Sequence, residues 1–219
     1  WHGSSCESGM RVLIERWAPP AAQFGLEARW TFTPVDGKNE GAPAAAAISG
    51  NCLAVKVEMT PYGQWPERIP RAGVRLCIPG TKWMASWVGE TDIAYSDLPG
   101  ANPDGFGCAE LKDLWDVGVK PQEGGHRPGL KVLELRGEEC ALIIIPRSEM
   151  GWSASPWSER ELAQAGHWED LSESNRTFVW LDAVQDGIGT RSCGPDARPE
   201  FGARMAARTM EFILCVTDL

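Results

Sequence analysis

Hydrophobic and polar residues alternate along much of this chain with a period of two. In "CLAVKVEMT" (52–60), Leu53, Val55 and Val57 share one side, while Lys56 and Glu58 take the other. An extended strand sends successive side chains to opposite faces, so this spacing predicts a half-buried strand. Alternation, together with aromatic and β-branched enrichment, predicts further strands at 11–17, 26–33, 73–78, 83–89, 130–137, 140–146, 177–184 and 209–216. "RGEE" (136–139) lies between two of them and reads as a hairpin turn around Gly137. One segment follows a different rule. "SERELAQAG" (158–166) begins with Ser158 and carries Glu161 three residues later. That is a capping box, in which hydroxyl and carboxylate each accept from a free helix-end N–H. Gly166 is expected to close this helix. "AELKDLW" (109–115) is read as a second short helical turn, and 91–107 and 120–129 as long loops of the kind that carry function. No βαβ alternation and no internal repeat is visible. The expectation is an all-β fold, a sandwich or barrel with one or two short helices, built as one domain over 1–219.

Composition narrows the partners. The 219 residues carry 30 acidic against 21 basic side chains, a formal net charge of -9. Nucleic acid and anionic membrane surfaces both require a clustered positive field, so neither is an expected partner. The longest apolar run, "ALIII" (141–145), ends at Pro146, far short of the roughly 20 residues that span a bilayer. Seven cysteines include no C-x-x-C, and no histidine stands at zinc-ligand spacing from one, so no metal site and no cofactor are expected. Their pairing is left open. The sequence starts at Trp1, and no secretory signal is read in it. A cytoplasmic location is the expectation, with secretion the alternative suggested by the Asn175-Arg176-Thr177 sequon. Tryptophan is the unusual count: 11, against 2 Tyr and 6 Phe. Most of these indoles belong in the core. A few, with Trp87, Trp152 and Trp157 as candidates, are expected to border a site that stacks a flat or sugar-like ligand.

Three places suggest chemistry. His126 sits in "EGGHR" beside Glu123 and Arg127. An imidazole titrates near neutral pH, so this trio is the candidate proton-shuttling centre. The plainer reading is a turning loop whose Arg127 pairs with a carboxylate. His167 follows the capped helix; its plainer reading is a cation at the helix C-terminus. Cys193 lies in "GIGTRSCGP" (187–195). A nucleophilic thiol needs a base or helix N-terminus to lower its pKa. The plainer reading is a small residue in a tight turn.

Several of these stretches resemble one known domain. "PQEGGHR" (121–127), "SASPWSERELAQAGHWEDL" (153–171), "LDAVQDGIGTRSCGP" (181–195) and "IPRAGVRLCIP" (69–79) resemble, in the same order, segments of the C-terminal domain of family 2 β-galactosidases, the small chain. "PYGQWP" (61–66) fits the loop before the last of these. The resemblance covers roughly residues 18 to 216. It implies a large antiparallel β-sandwich, a supersandwich like that of galactose mutarotase. It also implies that the glycosidase carboxylates lie in a separate barrel domain. A residue of the glycine-rich turn lines the sugar subsite in that family, and its position matches Cys193. In "WVGETDIAYSD" (87–97), Trp87, Gly89, Tyr95 and Asp97 match the family segment, whereas its Gly-Pro is missing and its glutamate falls on Ile93. His126 replaces the family's asparagine.

Two functions are carried forward. The first is a carbohydrate-binding accessory sandwich, partnered by a catalytic barrel subunit or a second copy of itself. The second is a free-standing isomerase or cyclase for a small molecule, retooled from the same scaffold with a Trp-lined pocket. In either case the candidate ligand-binding residues are Trp87, Tyr95, Trp152, Trp157, His167 and Cys193, and the catalytic candidates are Glu123, His126 and Arg127.

Overall fold

The computed structural model describes residues 3–7, 9–36, 51–95, 102–115, 118–188 and 194–219. Twelve strands form two antiparallel sheets. They are β1 (Gly3–Glu7), β2 (Met10–Trp17), β3 (Phe24–Val35), β4 (Asn51–Gly63), β5 (Arg71–Pro79), β6 (Met84–Glu90), β7 (Asp104–Glu110), β8 (Val132–Arg136), β9 (Cys140–Pro146), β10 (Gly151–Ser155), β11 (Arg176–Gln185) and β12 (Arg208–Asp218). The large sheet has the order β1-β2-β3-β4-β12-β9-β8-β6-β7, and the small sheet the order β10-β11-β5. One α-helix, α1 (Glu159–Gln164), and three short 3-10 turns complete the described residues.

The alternation read from the sequence sets what lies between the sheets. Val55, Val57 and Met59 of β4 meet Met210 and Phe212 of β12, Leu133 and Leu135 of β8, and Val179 and Leu181 of β11 in one buried cluster. Side chains of this size are each worth about 1.5–3 kcal/mol when buried. A second, smaller cluster lies on the other face of the large sheet, where Ile145, Ile213, Cys52 and Cys215 pack together. Cys52 and Cys215 are opposite one another in the β4–β12 register and form a disulfide across 163 residues of sequence.

Three strands differ from the sequence reading, among them β1 at the start of the chain, which pairs with β2. Residues 104–110 form the edge strand β7, where a loop to 107 and a helix from 109 were expected; the helical part is only the 3-10 turn Leu111–Asp113. Glycines conceal this strand because they carry low strand propensity. The fold requires one of them: a Cβ on Gly107 would stand 2.1 Å from the indole of Trp87, its partner on β6. A third unexpected strand is β10, "GWSAS", buried at every position and therefore without alternation. The hairpin at Gly137 is present, its N–H bonding to the Cys140 carbonyl at 2.9 Å.

Candidate functional site

The 121–130 loop is fixed by backbone hydrogen bonds to β10, to the residue before it and to the segment after β6. Arg127 and Trp152 exchange two N–H···O bonds of 2.8 Å each, which adds a short bridge to the free edge of β10. Ala94 N–H donates to the His126 carbonyl at 3.1 Å, and Leu130 N–H to the Met150 carbonyl at 3.0 Å. Pairing with an extended strand sends neighbouring side chains to opposite faces. His126 and Arg127 accordingly part company.

Arg127 points into the core. Its guanidinium stands 5.4 Å from the Trp87 ring and 5.8 Å from the Trp152 ring, and donates to the carbonyls of Gly125 and Leu114. Burial pushes its pKa down, against a weaker upward pull from Asp92. Among the described residues no carboxylate pairs with it, so the expected Arg127 ion pair is replaced by stacking between indoles. Trp87 and Trp152 are themselves core residues in edge-to-face contact at 5.4 Å.

His126 turns the other way, against β10 and β11. A Cβ on Gly151 would stand only 2.3 Å from its Cε1, so the ring rests directly on the strand backbone. Its Nδ1 lies 3.4 Å from Oδ2 of Asp182, close enough for attraction but outside hydrogen-bond geometry. Asp182 is almost completely buried and is held by Arg71, whose Nε donates to Oδ1 at 2.9 Å and whose Nη2 donates to Oδ2. Burial pulls the Arg71 pKa down, but the charge and hydrogen bonds of Asp182, with Glu123 and Glu159 adding to them, reverse this and carry it upward. Glu123 reaches the same guanidinium at 3.8 Å, and the Arg71 cation also lies 5.3 Å from the Trp180 ring. Tyr95 packs with its ring 6.0 Å from that of His126.

Glu123, His126, Arg127, Trp87, Trp152 and Tyr95 thus gather around one end of the small sheet. Trp157 and His167 belong to a different place. Trp157 packs on Trp168 and donates to the Ser172 carbonyl at 2.9 Å. His167 is exposed and opens the Trp168–Asp170 turn, its N–H donating to Asp170 at 2.8 Å, rather than closing α1 as a terminal cation. Cys193 lies outside the described residues. A depression of about 580 Å³ between Trp83, Gly137 and Asn175 is lined by none of the candidate catalytic or ligand-binding residues. Among the described residues, no group of three or more His, Cys, Asp or Glu is placed to hold a metal ion.

The base of the glycine-rich turn is visible on both sides of Cys193. Arg68 pairs with Asp186 at 2.8 Å on one side and with Asp196 at 2.8 Å on the other, and donates to the Gly187 carbonyl at 3.3 Å. Asp186 also accepts from the Ala203 N–H at 2.8 Å. Hydrogen bonding to Asp186 raises the Arg68 pKa, against a smaller loss from burial. One arginine from the β4–β5 connection therefore clamps the two ends of a turn 118 residues further along.

Comparison with known proteins now decides the family. The family model for the beta galactosidase small chain matches residues 42–214. This chain belongs to the β-galactosidase small-chain family. The small-chain domain is 32% identical over 213 residues to a protein named Beta-galactosidase from Arthrobacter sp. (strain B7), an alignment that covers 93% of this chain and 21% of the relative. It is also 30% identical over 155 residues to a Beta-galactosidase from Actinobacillus pleuropneumoniae (70% of this chain, 14% of the relative). A Beta-galactosidase from Staphylococcus xylosus is 26% identical over 146 residues (66% and 14%). The small-chain domain therefore spans about a fifth or less of the length of these relatives.

Two residues of the polar cluster were given no role by sequence reasoning, Arg71 and Asp182. The signal was there for Asp182. It is the one charge inside the apolar run "FVWLDAV", and a charge is buried in a strand only when something pairs with it.

Proposed function

We propose that this chain serves as the non-catalytic sandwich of a β-galactosidase, and that a separate catalytic domain performs the hydrolysis. The observation that carries this reading is the coverage: 93% of the chain aligns with only 21% of the length of a protein named Beta-galactosidase. The side-chain chemistry agrees. A retaining glycosidase needs two free carboxyls about 5 Å apart, one as nucleophile and one as acid. Asp182, the most buried carboxylate of the cluster, is instead engaged by Arg71. The Arg68 clamp supports a role for the glycine-rich turn at the sugar site, because a residue that lines such a site must be held in place by its neighbours. The isomerase or cyclase alternative gains nothing from relatives whose names all state β-galactosidase.

The test is an exchange. The chain replaces the corresponding stretch of the Arthrobacter β-galactosidase, and hydrolysis of a nitrophenyl galactoside is followed for the chimera and for the chain alone. The expected result is hydrolysis by the chimera and none by the chain. Arg68→Ala in the chimera should raise KM more than it lowers kcat, because it loosens a binding corner rather than a reacting group. Turnover by the isolated chain, or a folded chimera without activity, would overturn the reading.

A further inference from the structure

Strand β7 ends the large sheet, and among the described residues its outer edge pairs with no strand. Two hydrogen bonds fix which backbone groups lie on that edge. Leu111 N–H donates to the Trp83 carbonyl at 2.9 Å, and Lys131 N–H donates to the Val88 carbonyl at 2.8 Å. An antiparallel ladder bonds alternate residues, so the first bond turns Gly105, Gly107 and Ala109 toward β6. The second agrees, because Val88 then looks to β8 and leaves Trp87 to bond Gly107. The backbone N–H and C=O groups of Asp104, Phe106, Cys108 and Glu110 therefore point out past the edge of the sheet. The side chains beside them are apolar. Phe106 is 69% exposed, and its cross-strand neighbour Val88 is exposed as well. Val88 stands in turn against Val132, which packs on the cluster around Cys52 and Cys215. An open edge backed by exposed apolar side chains is a template for another strand, and soluble proteins usually blunt or cover one.

We infer that β7 is a dimerisation edge, along which β7 of a second copy of this chain pairs antiparallel about a two-fold axis normal to the sheet. Such an axis sets residue i against residue j and j against i. Charge decides between the two residues at the middle of the strand as its centre. An axis through Gly107 would set Asp104 against Glu110 of the partner subunit, acid facing acid, twice over. An axis through Cys108 removes both clashes. Phe106 then stands against Glu110 of the partner subunit, and Asp104 reaches Lys112 of the partner subunit. Lys112 and Glu110 form an exposed ion pair at 2.7 Å, so a second carboxylate can join the ammonium from outside. Opposite charges across paired strands favour the pairing, and like charges oppose it. The same axis brings Cys108, an exposed free thiol, opposite its own copy. Phe106 and Cys108 of both copies then form one apolar row across the seam, continuous with Val88. The inference needs this chain alone, so it stands or falls separately from assembly with a catalytic domain.

The experiment is sedimentation velocity over a rising concentration of the chain, with the exposed thiols kept reduced. The expected result is a monomer–dimer equilibrium in the micromolar range. Phe106→Asp places acid against acid on both sides of the axis and should weaken the dimer about tenfold or more. Cys108→Pro deletes an N–H that faces the edge rather than β6, and should abolish pairing while the β6–β7 ladder stays intact. If the proline variant fails to fold, Phe106→Asp, at an exposed position, decides alone. The register has its own test. Residues in a hydrogen-bonded antiparallel pair have Cα atoms about 5.5 Å apart, within the range that a disulfide spans. Diamide takes up the two thiol hydrogens and is reduced to its hydrazine. It should link the wild-type dimer, and peptide mapping should recover Cys108 joined to Cys108. A dimer that both variants leave intact, or a link through other cysteines with Cys108 untouched, would overturn the proposal. So would a chain that stays monomeric at every concentration, which would leave the edge to a different partner.

Discussion

Arg71 and Asp182 are joined inside the fold, and the pair is worth most when both members are present. Removing one partner strands a charge in a place water does not reach. Asp182→Asn should therefore destabilise the domain by about 3–5 kcal/mol, read as a lowered urea midpoint. The double variant Arg71→Met with Asp182→Leu should lose less than the sum of the two single changes, because it strands no charge. Gly151 tests the neighbouring contact. Its absent Cβ is the space that the His126 ring occupies, with Cε1 at 2.3 Å from the Cβ position. Gly151→Ala should cost about 1–3 kcal/mol, as overpacking does, and should move the His126 ring signals in an NMR spectrum. A Gly151→Ala domain with unchanged stability and an unmoved ring would show that the loop yields easily. At this scale the sequence exposes part of the site. "EGGHR" drew attention to His126 because glycines and a titratable ring stand together. It could not show that Arg127 turns inward, since that follows from the single Arg127–Trp152 bridge on β10. Arg71 and Gln185 looked like ordinary polar residues at strand ends, and only the sheet pairing brings them near the loop.

The helix α1 is the element whose local code is fullest. Ser158 accepts from the Glu161 N–H at 3.3 Å, and Glu161 accepts from the Ser158 N–H at 2.7 Å, so the capping box read from the sequence is formed. Ser158→Ala should cost about 1 kcal/mol. The same helix carries a pH response. Hydrogen bonds from Ser158 hold the Glu161 carboxyl below its ordinary pKa. At Glu159 burial pushes upward, but hydrogen bonds from Trp180, its own N–H and Arg75 outweigh it and the net shift is downward. Both carboxylates bind their proton less readily when folded than when unfolded. Their contribution is therefore fully present above the ordinary carboxylate pKa and fades as pH falls through the lowered folded values. A series of urea midpoints taken downward from neutral pH should show stability lost in that acid window, and Glu159→Gln should flatten the slope. Strands were equally legible where one face is largely polar: β4 alternates and was found within a few residues of its bounds. β7 and β10 were not, for opposite reasons. β7 alternates in burial, but its inner positions are Gly105, Gly107 and Ala109 while Phe106 faces out, so no hydrophobic alternation marks it, and β10 is buried on both faces.

Across the whole molecule, the disulfide ties the beginning of β4 to the end of β12, two neighbouring strands near the middle of the large sheet. Seven cysteines gave no pairing from spacing, because the partners are brought together only by the register that sets Cys215 opposite Cys52. The bond encloses most of the chain, its two cysteines standing 163 positions apart. A loop of that length loses much conformational freedom in the unfolded state, about 5 kcal/mol on the chain-entropy account. Domains of this kind are stable by only about 5–15 kcal/mol in total, so the cross-link is a large share. Both cysteines are buried, Cys215 fully and Cys52 at 5% exposure. A reductant therefore has to wait for the sheet to open. Dithiothreitol under native conditions should act at the rate of global unfolding, while in urea it should act at once. The reduced protein, or the Cys52→Ser and Cys215→Ser double variant, should unfold at a clearly lower urea concentration, with a loss near about 5 kcal/mol. Peptide mapping after alkylation without reductant should recover Cys52 and Cys215 in one linked species. Alkylation of either cysteine in that experiment would mean that the large sheet is held by packing alone.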